Sequence, residues 1–141
     1  MKPLFQLSEA VQIGIYSVAL IARSGKKMNI KEIAGEISAS EHHLSKVMQM
    51  LVKAGIADSV RGPSGGFTIL KPLKQIHLID IYEAIEGKIA QTQCPNHREK
   101  CPFDHCLFQD LNENYLKKIE NFFRSQTIDG VTKNISLKEK I

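Results

Sequence analysis

The sequence contains no tryptophan, and aromatic residues make up only 6% of its 141 residues. It also has no run of about 18 apolar residues, so we expect no membrane-spanning helix and no membrane contact. The stretch MKPLFQLSEAVQ at the start includes a glutamate and lacks a long apolar run, which argues against a signal peptide. We therefore expect a cytoplasmic protein, of a length that suits one compact domain or a small domain with one extra helix.

Cysteine is also scarce, and all three cysteines lie in one polar stretch, CPNHREKCPFDHC, at residues 94–106. The spacing has six residues between Cys94 and Cys101 and four between Cys101 and Cys106, without the paired CxxC units of a zinc ribbon. A disulfide would leave one thiol over and is uncommon in the cytosol. The polar neighbours and two prolines indicate a loop. From the spacing alone, metal ligation, redox-active thiols and inert thiols all stay open.

Positive charge is concentrated in the first half of the chain. Residues 1–75 carry ten Lys and Arg against five Asp and Glu, whereas residues 76–141 carry nine against ten. An excess of this kind suggests that the first half meets a polyanion, although a solvated lysine-rich surface is the commoner cause of a modest excess.

The spacing of apolar residues predicts a mainly α-helical fold with a small β-wing. Ser8, Asn29 and Ser40 are candidate N-caps, and Gly25 and Gly55 are candidate helix ends. The predicted helices cover about 8–24, 29–37, 40–55, 78–86 and 107–124, the predicted strands cover 56–60 and 67–70, and one further short turn of helix is expected in the tail before it frays.

The second and third predicted helices are joined by a very short turn and followed by a hairpin, which is the order of a winged helix–turn–helix. The free face of the third helix offers polar side chains that can reach base edges or phosphates. In the hairpin turn, small residues let backbone amides approach phosphates, and an arginine can enter a minor groove. Helix–turn–helix units also serve as plain packing units. The predicted DNA contacts are Ser40, His42, His43, Ser45, Lys46 and Gln49 in the helix, and Arg61, Gly62, Ser64, Gly65 and Gly66 in the wing.

These segments resemble one known family. The stretches LVKAGIADSVRGPSGGFTIL, IKEIAGEISASEHHLSKVMQMLVKAG and LIDIYEAIEG, with the cysteine segment, are similar to the IscR/NsrR-type (Rrf family) regulators over about residues 1–125. These regulators are bacterial winged-helix transcription factors, and many of them hold an iron–sulfur cluster. The resemblance implies a homodimer that reads a palindromic operator in double-stranded DNA with two recognition helices.

In such a dimer a long helix pairs with the copy in the other subunit, and the fifth predicted helix fits that role. The resemblance implies a winged DNA-binding domain at 1–87, a cluster-binding loop at 88–106, and a dimerisation helix with a C-terminal tail at 107–141. The apolar stripe of the fifth helix consists of Phe108, Leu111, Tyr115, Ile119 and Phe122.

The resemblance further implies that Cys94, Cys101 and Cys106 bind an iron–sulfur cluster, either [2Fe-2S] or [4Fe-4S]. In the IscR-like branch a histidine three residues after the third cysteine is the fourth ligand, but this sequence has Gln109 there. In the NsrR-like branch an acidic residue near the start of the first helix of the other subunit is the ligand, and Glu9 stands at that place.

Other roles for these residues are open at this point. Glu9 also suits the first turn of a helix without any metal, because the helix dipole favours an acidic residue there. His97 or His105 could instead complete a zinc site with three cysteines.

We therefore expect a transcriptional regulator, a repressor, whose operator affinity is controlled by a cluster that senses nitric oxide, redox state or the supply of iron and clusters. The alternative is a cluster-free relative that senses through thiols, zinc or a small molecule. An enzyme is not expected, because the Cys–His pairs lack a nucleophile elbow or an oxyanion motif.

Overall fold

Helices form most of the computed structural model, which describes residues 1–89 and 100–138. The helices before the cysteine segment are α1 (Glu9–Ser24), α2 (Ile30–Ile37), α3 (Glu41–Lys53) and α4 (Leu78–Glu86); strands β1 (Ala57–Val60) and β2 (Gly66–Ile69) and a 3-10 turn (Leu73–Gln75) lie between α3 and α4. A π-helical segment (Leu111–Leu116), α5 (Lys117–Ser125) and α6 (Ile128–Thr132) follow the cysteine segment. The mainly α fold with a two-stranded sheet was predicted from the sequence.

The first three helices begin at the residues that the sequence indicated. The side-chain oxygen of Ser8 accepts a hydrogen bond from the Val11 amide at 3.3 Å, and that of Ser40 accepts one from the His43 amide at 3.1 Å. At Asn29 the cap is reciprocal, because the Glu32 carboxylate also accepts a hydrogen bond from the Asn29 amide. Each cap satisfies an amide that has no partner inside its helix.

The turn between α2 and α3 depends on a residue that the sequence did not single out. Ser38 adopts a left-handed conformation, with φ of 54°, and ends α2. Left-handed backbone is uncommon for residues other than glycine, and here it reverses the chain within three residues. Gly25 and Gly55, by contrast, adopt positive φ after α1 and α3 as expected.

The apolar stripes of α1 to α4 meet in one core. Gly14 stands where three of these helices come together, because a Cβ at this position would lie 3.1 Å from Ile81 Cγ2 and 3.6 Å from Val47 Cγ1. The absence of a side chain therefore lets α1 approach α4 closely. The fully buried apolar side chains include Val11, Val18, Ile33, Leu44, Met48, Leu51, Ile56, Ile76, Ile81 and Ile128.

The wing is fastened to the connection between α1 and α2. Strands β1 and β2 are antiparallel, with Ala57 opposite Ile69 and Val60 opposite Gly66. On the other side of β2, Met28 and Phe67 exchange two backbone hydrogen bonds, of 3.1 and 2.7 Å. This contact is an isolated β-bridge at the outer edge of β2, which local patterns in the sequence did not predict.

The long helix, defined here as residues 109–125, begins two residues later than predicted. Leu107 and Phe108 lie in a turn, and the helix is π-helical over Leu111–Leu116 before it continues as α5. In the π segment the Lys117 amide bonds to the Asn112 carbonyl, five residues back. A π segment of this kind rotates the face of a helix relative to a regular α-helix.

The tail after the long helix packs back onto the winged domain. Ile128 is fully buried, and its amide donates to the Ile76 carbonyl at 2.8 Å. The Leu78 amide donates to the Gln126 carbonyl at 2.9 Å, so the two segments pair like antiparallel strands. The predicted short turn of helix is present as α6, but its place in the core was not predicted. The division of the chain at residues 87 and 106 stays a prediction.

Within the described residues, every helix is too short or too polar to span a lipid bilayer.

We expect replacement of Ile128 by alanine to lower the free energy of unfolding by about 2–5 kcal/mol, because it leaves a cavity in the core. Ile135→Ala is the matched control, since Ile135 is 58% exposed. Urea unfolding of both variants measures the effect. Equal midpoints for the two variants would contradict the burial of α6.

Candidate nucleic-acid interface

One face of α3 is held in the core, and the other is free for a partner. Leu44, Val47, Met48 and Leu51 are buried. On the opposite side, Ser40, His42, Lys46 and Gln49 are exposed, while His43 and Ser45 are half-buried. The predicted polar residues of α3 therefore all lie outside its buried stripe.

The backbone conformation of the wing turn requires glycine at two positions. Gly62 has φ of 108°, a conformation that favours glycine, and the Gly65 amide donates to the Gly62 carbonyl at 2.9 Å. A Cβ on Gly65 would collide with the Val60 carbonyl oxygen. Arg61 and Ser64 are exposed at this turn. Glycine is thus required by the turn itself, in addition to any approach of a phosphate.

Gly66 differs from the other predicted wing residues because the protein covers it. It is buried, and a Cβ there would lie 2.7 Å from the Met28 carbonyl oxygen and 2.9 Å from Lys27 Cγ. From the sequence alone, this glycine is predicted to contact DNA. The structure gives it a reason inside the protein, which is the close pairing of β2 with Met28.

The start of α1 lies between α3 and the end of α4. Glu9 Oε2 lies 3.9 Å from His43 Nδ1, too far for a hydrogen bond, and the Glu9 side chain is 78% exposed. The preceding residue, Ser8, donates a hydrogen bond through its hydroxyl to Glu86, the last residue of α4. The start of α1 therefore contacts both α3 and the last residue of α4.

The cysteine segment is described only in part. Cys94 and His97 lie outside the described residues. Cys101 and Cys106 are both exposed and are not in a disulfide. His105 pairs with the neighbouring Asp104 at 3.2 Å, with both side chains largely exposed.

The donors predicted for a cluster do not converge within the described part of one chain. Across residues 1–89 and 100–138, no group of three or more His, Cys, Asp or Glu side chains is placed to hold a metal ion. The chemistry of the donors nevertheless fits an iron–sulfur cluster, because two thiols are free and the Glu9 carboxylate is exposed. The predicted ligand set also includes Cys94, which lies outside the described residues.

A groove of about 840 Å³ was not predicted. It lies between the segment before α1, the end of α4 and the long helix. The sequence does contain a pattern that could have predicted this groove. Leu116, Ile119 and Phe123 form a second apolar stripe along the long helix, beside the one described above. Ile119, assigned above to the same stripe as Phe122, is half-buried and lines this groove. Apolar residues that line it are Phe5, Leu7, Ile79, Tyr82, Ile89, Leu116, Ile119 and Phe123.

A helix–turn–helix that exposes the polar face of α3, followed by a wing with an exposed arginine, defines a winged-helix DNA-binding protein. Comparison with known sequences narrows this class. The chain belongs to the Rrf2 family, described as iron-dependent transcriptional regulators, which it matches over residues 7–134. It is therefore a transcriptional regulator and not an enzyme, as expected.

Known relatives agree with this assignment. The HTH-type transcriptional regulator YwgB of Bacillus subtilis (strain 168) is 33% identical over 102 residues, which are 70% of this chain and 65%, just under two thirds, of that relative. Among solved structures, CymR (YrzC) of B. subtilis, described as the global cysteine regulator, has a TM-score of 0.77 at 21% identity and covers 94% of this chain and 100% of its own. IscR of T. potens has a TM-score of 0.73 at 25% identity, over 93% of this chain and 88% of that one.

Two substitutions at Ser40 separate its role as helix cap from contact with DNA. We expect Ser40→Ala to lower the free energy of unfolding by about 0.5–2 kcal/mol, since the His43 amide loses its partner. Ser40→Asp should keep the stability, because aspartate caps helices equally well, yet weaken DNA binding by repelling phosphate. Urea unfolding and DNA titration at one salt concentration measure the two effects. If Ser40→Asp binds DNA like the parent, Ser40 does not face the phosphates.

Proposed function

We propose that this regulator is a homodimeric repressor of palindromic operators, controlled by an iron–sulfur cluster on Cys94, Cys101 and Cys106. The observation that carries the proposal is the position of the first turn of α1. It contacts α3 through Glu9 and the end of α4 through Ser8, so a change at Glu9, the proposed fourth ligand, would act beside the recognition helix. The signals considered are nitric oxide, redox state and the supply of iron or clusters.

The proposal of a dimer is supported by the outer face of the long helix and the turn before it. Phe108, Leu111, Tyr115 and Phe122 are between 42% and 61% exposed, although all four are large and apolar or aromatic. A set of large apolar side chains on one surface is typical of a protein interface. A second copy, related by a twofold axis, would cover this face and place two α3 helices to read a palindrome.

Three thiols and one carboxylate would hold the cluster. The free thiols of Cys101 and Cys106 suit iron, and Cys94 would supply the third thiolate. Glu9 is the proposed fourth ligand, given by the other subunit, because its exposed carboxylate stands at the start of α1, where the NsrR-like branch has an acidic ligand. When bound, the cluster supplies iron that reacts with nitric oxide and oxidants.

A change at the proposed cluster would alter DNA binding through residues of the chain itself. Glu9 begins α1 next to His43, and Ser8 is bonded to Glu86, so a shift of this turn moves groups on both α3 and α4. In a dimer the same shift alters the separation of the two recognition helices. Operator affinity follows that separation, as in other two-state switches.

A second candidate function is sensing without a cluster. It is favoured by the exposure of Cys101 and Cys106, which oxidants can reach, and by the groove of about 840 Å³, a volume in the range of small-molecule sites. The likeness to CymR shows the fold alone and does not decide between the two functions. A zinc site that uses His105 is a further form of this alternative. Metal analysis of anaerobically purified protein separates these candidates.

We expect Leu111→Glu to convert the dimer to a monomer, because the substitution buries a charge in the proposed interface. Leu70→Glu is the matched control, since Leu70 is also exposed but lies at the wing. Sedimentation or light scattering measures the mass of each variant. A parent protein that is itself monomeric at high concentration would overturn the dimer.

We expect protein purified without oxygen to contain iron and sulfide and to absorb visible light. Replacing all three cysteines by alanine should abolish both. Glu9→Ala should lower the iron content, whereas Glu41→Ala should leave it unchanged, since Glu41 also lies in a first helical turn and shares any interaction with the helix dipole.

Iron and sulfide counts, read with the visible spectrum, decide the outcome. Colourless parent protein without iron would favour sensing without a cluster. Equal iron in the two glutamate variants would remove Glu9 as a ligand and leave the cysteines in place.

A further inference from the structure

Lys27, in the connection between α1 and α2, lies against the wing. It is exposed, yet its Cγ is only 2.9 Å from the place where a Cβ on Gly66 would be. The stem of the lysine therefore runs across Gly66, in the space left by the missing side chain. Lys27 belongs neither to the helix–turn–helix nor to the wing motif.

The direction of β2 shows where this stem leads. Gly66 is the first residue of β2 and pairs with Val60, the last residue of β1. Arg61 follows Val60 directly, and the rest of β2 runs away from the wing turn. The stem of Lys27 thus crosses the end of the sheet that carries the turn, on the side of β2 opposite β1.

The backbone on either side of Lys27 is fixed by hydrogen bonds. The Met28 amide and carbonyl are both bonded to Phe67. On the other side, Ser24 Oγ accepts a hydrogen bond from the Lys26 amide at 3.3 Å and lies 3.0 Å from the Lys26 carbonyl. A cation on a fixed backbone loses less entropy when it binds an anion than one on a flexible loop.

Two more lysines stand close to Lys27 in the sequence. Lys26 precedes it and Lys31 lies in the first turn of α2, and both are exposed. The carboxylate nearest in sequence belongs to Glu32, which accepts a hydrogen bond from the Asn29 amide at 2.9 Å. The connection therefore presents positive charge beside the wing.

We propose that Lys27, flanked by Lys26 and Lys31, binds the phosphate backbone of DNA beside the groove that the wing enters. The inference rests on the proposed binding of operator DNA. It adds a contact on the outer edge of the wing to that of Arg61 at the turn. A lysine ammonium is a point charge that binds phosphate without reading bases, so this contact adds affinity without sequence preference.

The test compares two lysine substitutions in the full-length protein. Lys27→Met keeps an apolar stem over Gly66 and removes the charge. Lys133→Met is the control. It removes a charge from an exposed lysine that follows α6 and is distant from the wing in the sequence. The probes are a duplex selected by the parent protein from a random pool and a mixed-sequence duplex.

Dissociation constants are measured over a range of salt concentrations. Each phosphate contact contributes about 0.9 to the slope of log affinity against log salt, so loss of one contact in each subunit of a dimer should reduce the slope by about 1.8. We expect this reduction for Lys27→Met on both duplexes, an unchanged ratio between the two duplexes, and the parental slope for Lys133→Met.

Three results would overturn the inference. A parental slope for Lys27→Met shows that Lys27 is a solvated surface residue and leaves the proposed function intact. A loss confined to the selected duplex shows that Lys27 reads bases instead of phosphates. A parent protein with no affinity for either duplex overturns the proposed function, and this contact with it. Urea unfolding of Lys27→Met checks that the wing is still folded.

Discussion

The close approach of α1 to α4 at Gly14 is the contact on which the rest of the structure depends. A side chain here would collide with Ile85 Cδ1 and crowd Ile81 Cγ2, both on α4, so the two helices could not pack as closely without a shift. The start of α1 also contacts both neighbours, α4 through Ser8 and Glu86 and α3 through Glu9 and His43. Burial of apolar surface thus brings the polar first turn of α1 to the place where it touches both neighbours.

Local features of the fold could be predicted from the sequence, because each depends on residues close together in the chain. Ser8, Asn29 and Ser40 cap their own helices, and the two short runs of strand-forming residues around RGPSGG are enough to predict a hairpin. The pairing of Met28 with Phe67 and the burial of Ile128 could not be predicted, since each joins segments that are distant in sequence. The π segment escaped detection because its apolar spacing also suits a regular helix.

The candidate site likewise has one part that could be predicted from the sequence and one part that could not. The polar face of α3 follows from the helical period once its buried stripe is known, so its residues were found without the structure. The proposed cluster ligands are different, because a ligand set that combines distant segments or two subunits has no fixed spacing in the sequence. Gly66 shows a further limit: a glycine in a motif was explained by an external partner, whereas Met28 and Lys27 fill the space beside it.

The pairing of residues 76–78 with 126–128 restrains the stretch of chain between them. It closes the chain from Ile76 to Ile128 into a ring whose two ends are hydrogen-bonded to each other. The cysteine segment belongs to this ring and joins α4 to the long helix within it. The chemistry proposed at the thiols would therefore act within a stretch of chain whose two ends are held together by backbone hydrogen bonds.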